Sequence, residues 1–158
     1  MQRSPSSQSL RRGRVSEPGR IYMVTSTVAD RREVFVDWRV GRLLVKEMQL
    51  AQKQEHAVFL AWVIMPDHFH WLVELQDASL QDLMQRIKSK SAIAVNRQLR
   101  LTGKLWQDGY HDIALRNEKD LLGTARYIVA NPLRAGLVDK LANYPLWDSV
   151  WLHPDHPG

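Results

Sequence analysis

The sequence predicts an α+β fold of the ferredoxin-like sandwich type, an antiparallel sheet with helices on one face. Three observations predict it. Apolar residues alternate at period two in some stretches and recur at period 3.6 in others, in the order strand, helix, strand, strand, helix, strand. Only Pro66-Asp67 separates the two middle strands, which makes them a hairpin. The 158 residues contain no internal repeat, and that length suits one domain able to bury its own core.

Each element has its own warrant. Residues 21–29 are rich in apolar and β-branched side chains and read as the first strand. Asp37 caps a helix to about Glu55, along which Val40, Leu43, Leu44, Met48 and Ala51 recur at helical spacing. Residues 57–65 and 68–75 are the hairpin strands. Ser79 caps a long helix to about Leu101, with Leu80, Leu83, Met84 and Ile87 inward and Arg86, Lys88, Lys90, Arg97 and Arg100 outward; Gly103 is expected to end it. Residues 105–115 supply a fourth strand. Asn117 as cap, Asp120 in the first turn and Pro132 beyond Asn131 delimit a last helix over 118–131. Residues 136–151 read as a short tail whose Trp147 and Trp151 seal the domain, with stacking on unpaired bases as the alternative.

Composition narrows the function classes. The chain has no cysteine, so disulfides and thiolate zinc sites are excluded. No apolar run approaches the roughly 18 residues of a membrane span, and the N-terminus lacks the apolar region of a secretory signal, so a cytoplasmic protein without membrane association is expected. Net charge is +5, and residues 1–20 hold five arginines against Glu17, a local balance of +4. That segment, with its Ser, Gly and Pro, is expected to be a disordered basic arm in which Arg11, Arg12 and Arg14 lie along a DNA backbone or in a groove, or else a solvated tail. The division that follows is arm 1–20, domain 21–152 and tail 153–158. Lys88, Lys90 and Arg97 of the long helix are further candidates for tracking a DNA backbone, with solvated helix surface as the alternative.

The chemistry concentrates in two places. In VIMPDHFHWLVE, strand alternation sets His68 and His70 on one face and Phe69, Trp71 and Val73 on the other. The apolar side can enter a core while the imidazoles hold a divalent metal, bind a phosphate, or simply hydrogen-bond. About sixty residues on, Leu121, Leu122, Ala125, Ile128 and Val129 form the apolar stripe of the last helix. Asp120, Thr124, Tyr127 and Asn131 fall outside it, so Tyr127 stands on the polar side with an amide one turn later. Asn131 beside Pro132 also suits a helix C-cap.

Together VIMPDHFHWLVE, LWQDGYHDIALRNEKDL and RYIVANPLRAGLV, in that order, resemble the HUH-type single-tyrosine transposases, most closely the REP-associated tyrosine transposases of bacteria. The resemblance covers about Tyr22 to Trp151. It implies that His68, His70 and Asn131 bind a divalent metal and that Tyr127 is the nucleophile. It implies cleavage and rejoining of single-stranded DNA at repetitive extragenic palindromic hairpins through a 5′-phosphotyrosine. It also implies that the start of the domain reads sequence beside the hairpin. Two imidazoles and an amide oxygen suit Mg²⁺ or Mn²⁺ better than a structural zinc. A monomer is expected, although related transposases exchange their tyrosine helix in a dimer.

Two alternatives remain open. A non-catalytic module that binds hairpin nucleic acid would use Tyr127 for stacking. A metal-dependent hydrolase would need a carboxylate base near the histidines, for which Asp67 and Glu74 are the neighbours in sequence. Trp106, Gln107, Tyr110 and His111 are candidates to border the DNA channel, with Tyr110 a rival nucleophile that lacks a metal-binding residue one turn away.

Overall fold

Alternating burial along Ile21–Thr27 makes this first strand, β1, the spine on which the sheet is assembled. The computed structural model describes residues 19–152; the expected arm, with Arg11, Arg12 and Arg14, and the tail 153–158 lie outside the described residues. The elements that follow are α1 (Trp38–Lys53), β2 (Ala57–Met65), β3 (His68–Leu75), α2 (Leu80–Leu99), β4 (His111–Leu115), α3 (Glu118–Val129), the one-turn helix α4 (Asn131–Arg134) and β5 (Trp147–Ser149). The sheet is antiparallel in the order β4-β1-β3-β2-β5. Without β5 this is the ferredoxin-like order that the sequence predicts.

The caps are those the residue types demand. Asp37 accepts from Arg39 N, Ser79 from Asp82 N and Asn117 from Asp120 N. The first strand stops at Thr27, two residues short of the expected end, and four further boundaries differ. Helix α2 ends on Arg100, which adopts the left-handed conformation (φ 56°) itself, so Gly103 lies beyond the cap. The fourth strand is only His111–Leu115, because Leu105, Trp106 and Tyr110 turn inward to the core. Helix α3 stops at Val129 and the chain starts a new turn at Asn131, where Pro132 sits in the first turn and needs no N–H donor. The tail contains an edge strand, β5, too short to show alternation.

The sheet buries both faces. On one, α1 and α2 cover a core in which Phe69 stacks on Trp71 (ring centroids 4.3 Å apart) and Phe59 meets Trp71 edge-on at 4.9 Å. On the other, Ala125, Ile128 and Val129 of α3 pack on Ala61, Val63, Met65 and Leu72. One-sided cover therefore holds for the two helices of the ferredoxin-like unit, and α3 is an addition on the reverse face. That reverse face is the one carrying the histidines.

Two close contacts make stability predictions. Gly41 lets α1 approach the buried Leu146, whose side chain an added Cβ would strike. Gly41→Ala is expected to cost about 1–3 kcal/mol by overpacking, against a helix-propensity gain of about 1 kcal/mol, so the urea midpoint should fall. Tyr144 Oη donates to Ile64 O at 2.6 Å, and burial pushes its phenol up to about 12. Between about pH 10, where an unfolded tyrosine titrates, and pH 12, the unfolded chain has released a proton that the folded chain still holds. Stability therefore falls as pH rises through that window. Tyr144→Phe is expected to lose about 1 kcal/mol at neutral pH yet to decline less steeply from pH 10 to 12, as denaturant titrations at both ends would report.

Candidate active site

Antiparallel register builds the histidine site. Thr25 lies opposite His70 and Thr27 opposite His68, so the two threonines share the face of the two imidazoles. The rings of His68 and His70 are 4.9 Å apart, centroid to centroid, and nearly perpendicular. On the reverse side of the strand Phe69, Trp71 and Val73 are fully buried, which pins its orientation.

Each imidazole is held at Nδ1. His68 Nδ1 donates to Asp67 Oδ1 at 2.6 Å, since a carboxylate can only accept. His70 Nδ1 lies 2.7 Å from Thr25 Oγ1. With Nδ1–H spent on an acceptor, Nε2 of His68 presents its lone pair; the same holds for His70 when Thr25 accepts. Asp67 is fixed in turn by Arg31 Nε at 3.0 Å, and Arg31 and Asp30 both adopt left-handed backbone (φ 52° and 59°). Backbone bonds from Val28 N to Asp67 O and from Phe35 N to Pro66 O clamp the hairpin turn.

The electrostatics favour a neutral His70. Burial, then the nearby positive charge of His68 and Arg134, pushes His70 down to about 4. Partial burial works to raise the Asp67 carboxyl, but hydrogen bonds and charge from His68 and Arg31 outweigh it and hold the group below the usual carboxylate range. A neutral imidazole at ordinary pH, oriented through Nδ1, is the form in which histidine binds a metal. The donor set thus fits a divalent ion. Among the described residues no third histidine, cysteine or carboxylate joins the pair in a three-membered cluster, so a further protein ligand would be of another type, such as an amide.

Helix α3 lies over this face, packed on β2 and β3. Its apolar stripe faces the sheet and leaves Tyr127 54 % exposed, on the polar side as the helical spacing predicts. Asn131, half-buried, opens α4, so the C-cap is Ala130 and the capping alternative for Asn131 does not hold. Arg134, three residues on, places its guanidinium 3.9 Å above the Tyr127 ring.

The other candidates separate by face. Lys88, Lys90 and Arg97 belong to α2, which covers the opposite face of the sheet, and are not brought to the histidines. Lys88 Nζ donates to Gln107 O and Gly109 O, bracing the 105–110 loop. Trp106 and Tyr110 are core residues at 4 % and 7 % exposure, and Trp106 Nε1 donates to Ser91 Oγ. With Lys88, Gln107 and Gly109 they line an open groove beside α2, away from the histidine face. His111 does share the histidine face, in the row His111, Thr25, His70, Val63, Trp147, but two strand spacings, roughly 10 Å, separate it from His70. Glu74 is four residues along β3 from His70, roughly 13 Å, and Asp67 is engaged by His68 and Arg31. The hydrolase alternative therefore lacks its base.

Thr25, Arg31 and Arg134 are the partners that sequence reasoning missed. Thr25 was within reach of the sequence, through the register of two strands whose ends are marked; the two arginines depend on loop conformation.

The family model described as Transposase IS200 like matches residues 19–131. A Haemophilus influenzae protein assigned to the REP-associated tyrosine transposases is 28% identical over 143 residues, covering 80% of this chain and 78% of that protein. The REP-associated tyrosine transposase of Escherichia coli K12 is 29% identical over 87 residues, 54% of this chain and 50% of that protein. A solved structure of a REP-associated tyrosine transposase bound to a REP hairpin has a TM-score of 0.70 at 22% identity, over 85% of this chain and 79% of that one, a likeness of fold. The matched segment takes in the histidine strand and the whole tyrosine helix, and the chain belongs to the IS200-like transposases, tyrosine enzymes that cleave DNA and transfer its strands.

Proposed function

We propose that Tyr127 is the nucleophile, that His68, His70 and Asn131 hold the divalent metal on which enzymes of this family depend, and that the substrate is a single-stranded DNA hairpin of the REP type. One observation carries this reading: a solvent-open phenol on the helix that covers the same sheet face as two Nδ1-anchored imidazoles.

Tyr127 Oη attacks the phosphorus of one phosphodiester. The Oη–P bond forms and the P–O3′ bond breaks; the phenol proton leaves to solvent and the 3′ oxygen takes one up. The products are a 5′-phosphotyrosine and a 3′-OH, and a second 3′-OH reverses the same step to rejoin strands. Asp67 and Thr25 keep the two imidazoles aimed. Bound there, Mg²⁺ or Mn²⁺ would supply Lewis-acid polarisation of a non-bridging phosphate oxygen. The REP hairpin as partner is supported by the structural relative that binds one. The arginines of residues 1–20, Arg11, Arg12 and Arg14 among them, supply cations for the strand beside the hairpin. The reading also takes the protein as a monomer acting in the cytoplasm, since α3 covers the histidine face of its own chain and the DNA it acts on is there.

The test is adduct trapping. End-labelled single-stranded REP hairpins, incubated with the protein and Mg²⁺ or Mn²⁺, should give a labelled protein band on a denaturing gel. Tight binding without an adduct would favour the non-catalytic module, and cleaved DNA without an adduct would favour water as the nucleophile.

A further inference from the structure

Arg134 fastens the last turn of helix α3 and covers the Tyr127 ring at the same time. Its guanidinium carbon is 3.9 Å from the centroid of the Tyr127 ring, and Nη2 donates to Tyr127 O at 2.7 Å. One side chain thus holds the same residue at two points, the ring face and the backbone carbonyl. A surface arginine carries considerable rotamer entropy, and fixing it over one ring needs both contacts at once.

The reason lies in the chain path. Helix α3 ends at Val129, and Pro132 starts a new turn directly after it. That restart turns α4 back so that a residue seven positions after Tyr127 lies over its ring. In an uninterrupted helix two residues seven apart lie two turns, about 10 Å, apart along the axis. The contact exists because the helix breaks.

We infer that Arg134 serves strand cleavage in two ways, setting the pose of the Tyr127 ring and binding the phosphate that Tyr127 attacks. This rests on the reading of Tyr127 as nucleophile. A guanidinium has five N–H donors, and the hydrogen bond to Tyr127 O uses one. Those remaining can engage non-bridging oxygens of a phosphate approaching Tyr127 Oη, in the fork geometry that a lysine cannot reproduce. The cation over the ring limits rotation of the phenol, so Oη stays aimed while the hairpin binds. As the Oη–P bond forms and the P–O3′ bond breaks, negative charge spreads over the phosphoryl oxygens, and a positive group already in place meets it without rearrangement.

The experiment measures adduct formation across hairpin concentrations for the wild type, Arg134→Ala, Arg134→Lys and Tyr127→Phe, with melting temperatures as the folding control. Arg134→Ala is expected to lower the maximal rate about 10²-fold with little change in the half-saturating hairpin concentration. Added methylguanidinium should restore part of that rate in Arg134→Ala and none in Tyr127→Phe. Arg134→Lys should recover part of it without additive. An Arg134→Ala rate equal to the wild type would overturn the inference. So would a slow Arg134→Ala that methylguanidinium leaves slow while Arg134→Lys, folded, is no faster. A wild type that forms no Tyr127-dependent adduct would instead overturn the reading on which the inference rests.

Discussion

Tyr127→Phe is expected to remove the covalent protein–DNA adduct, slowing its formation by about 10³-fold or more, while hairpin binding and stability stay close to the wild type. The first half follows from chemistry: phenylalanine has no oxygen to bond phosphorus, and no other route in the protein leads to a phosphotyrosine at that position. The second half follows from geometry. Tyr127 is 54 % exposed, and its phenol makes no hydrogen bond among the described residues, so removing Oη strands no buried partner. Its ring contact with Arg134 needs only the aromatic face, which phenylalanine keeps. A change of this kind at an exposed site belongs within about 0.5 kcal/mol. The control is Tyr110→Phe. Tyr110 is buried at 7 % exposure among core residues on the other side of the sheet, so its substitution should be felt in the melting temperature and should spare the adduct. An adduct that survives Tyr127→Phe and disappears with Tyr110→Phe would reverse the assignment.

The two tyrosines also show where the sequence is legible. Tyr127 reads correctly because helical periodicity places it off the apolar stripe, and a single angle per residue decides that. Tyr110 reads poorly because it lies in a loop, where no period applies. What buries it is long-range: the Val28–Trp106 bridge and the Lys88 ammonium hold the 105–110 loop against the core. The same division runs through the fold. The hairpin strands 57–65 and 68–75 match the sequence reading to the residue, since Pro66-Asp67 marks their junction. Strand β5 shows no alternation over three residues and is defined only by pairing with Ala61–Val63. The side of the sheet on which α3 packs was likewise not legible. Amphipathicity says that a helix has a buried face and says nothing of which sheet face receives it. At the site, His68 and His70 share a face by strand alternation alone, whereas Arg31 and Arg134 reach their partners through a left-handed turn and a helix break. The placement of Lys88, Lys90 and Arg97 was not legible for a related reason: charge on a helix marks its outer side and cannot say which side of the sheet that helix covers.

Substitutions around the imidazoles are expected to separate loss of the metal from loss of its alignment. On the proposed ligand set, His68→Ala removes a ligand and should lower adduct formation by about 10²- to 10⁴-fold, the several kcal/mol of charge stabilisation that a bound divalent ion contributes. Asp67→Asn keeps both imidazoles. It retains an oxygen that can accept from His68 Nδ1, but loses the charge that fixes the tautomer and pairs with Arg31. A loss of about 10- to 100-fold is expected, of the size typical of groups that orient metal ligands. Mn²⁺ titration distinguishes the two. If Asp67 acts through the orientation of His68, excess Mn²⁺ should restore most of the Asp67→Asn rate by mass action. It should restore little in His68→Ala, where the ligand itself is missing. Low pH should not imitate either variant through His70, whose burial already pushes it down to about 4, so that it stays neutral throughout the ordinary range. Were Asp67→Asn as inactive as His68→Ala at every Mn²⁺ concentration, Asp67 would be contacting the metal or the phosphate directly. The site would then be built from a carboxylate and two imidazoles, with the Asn131 amide outside it.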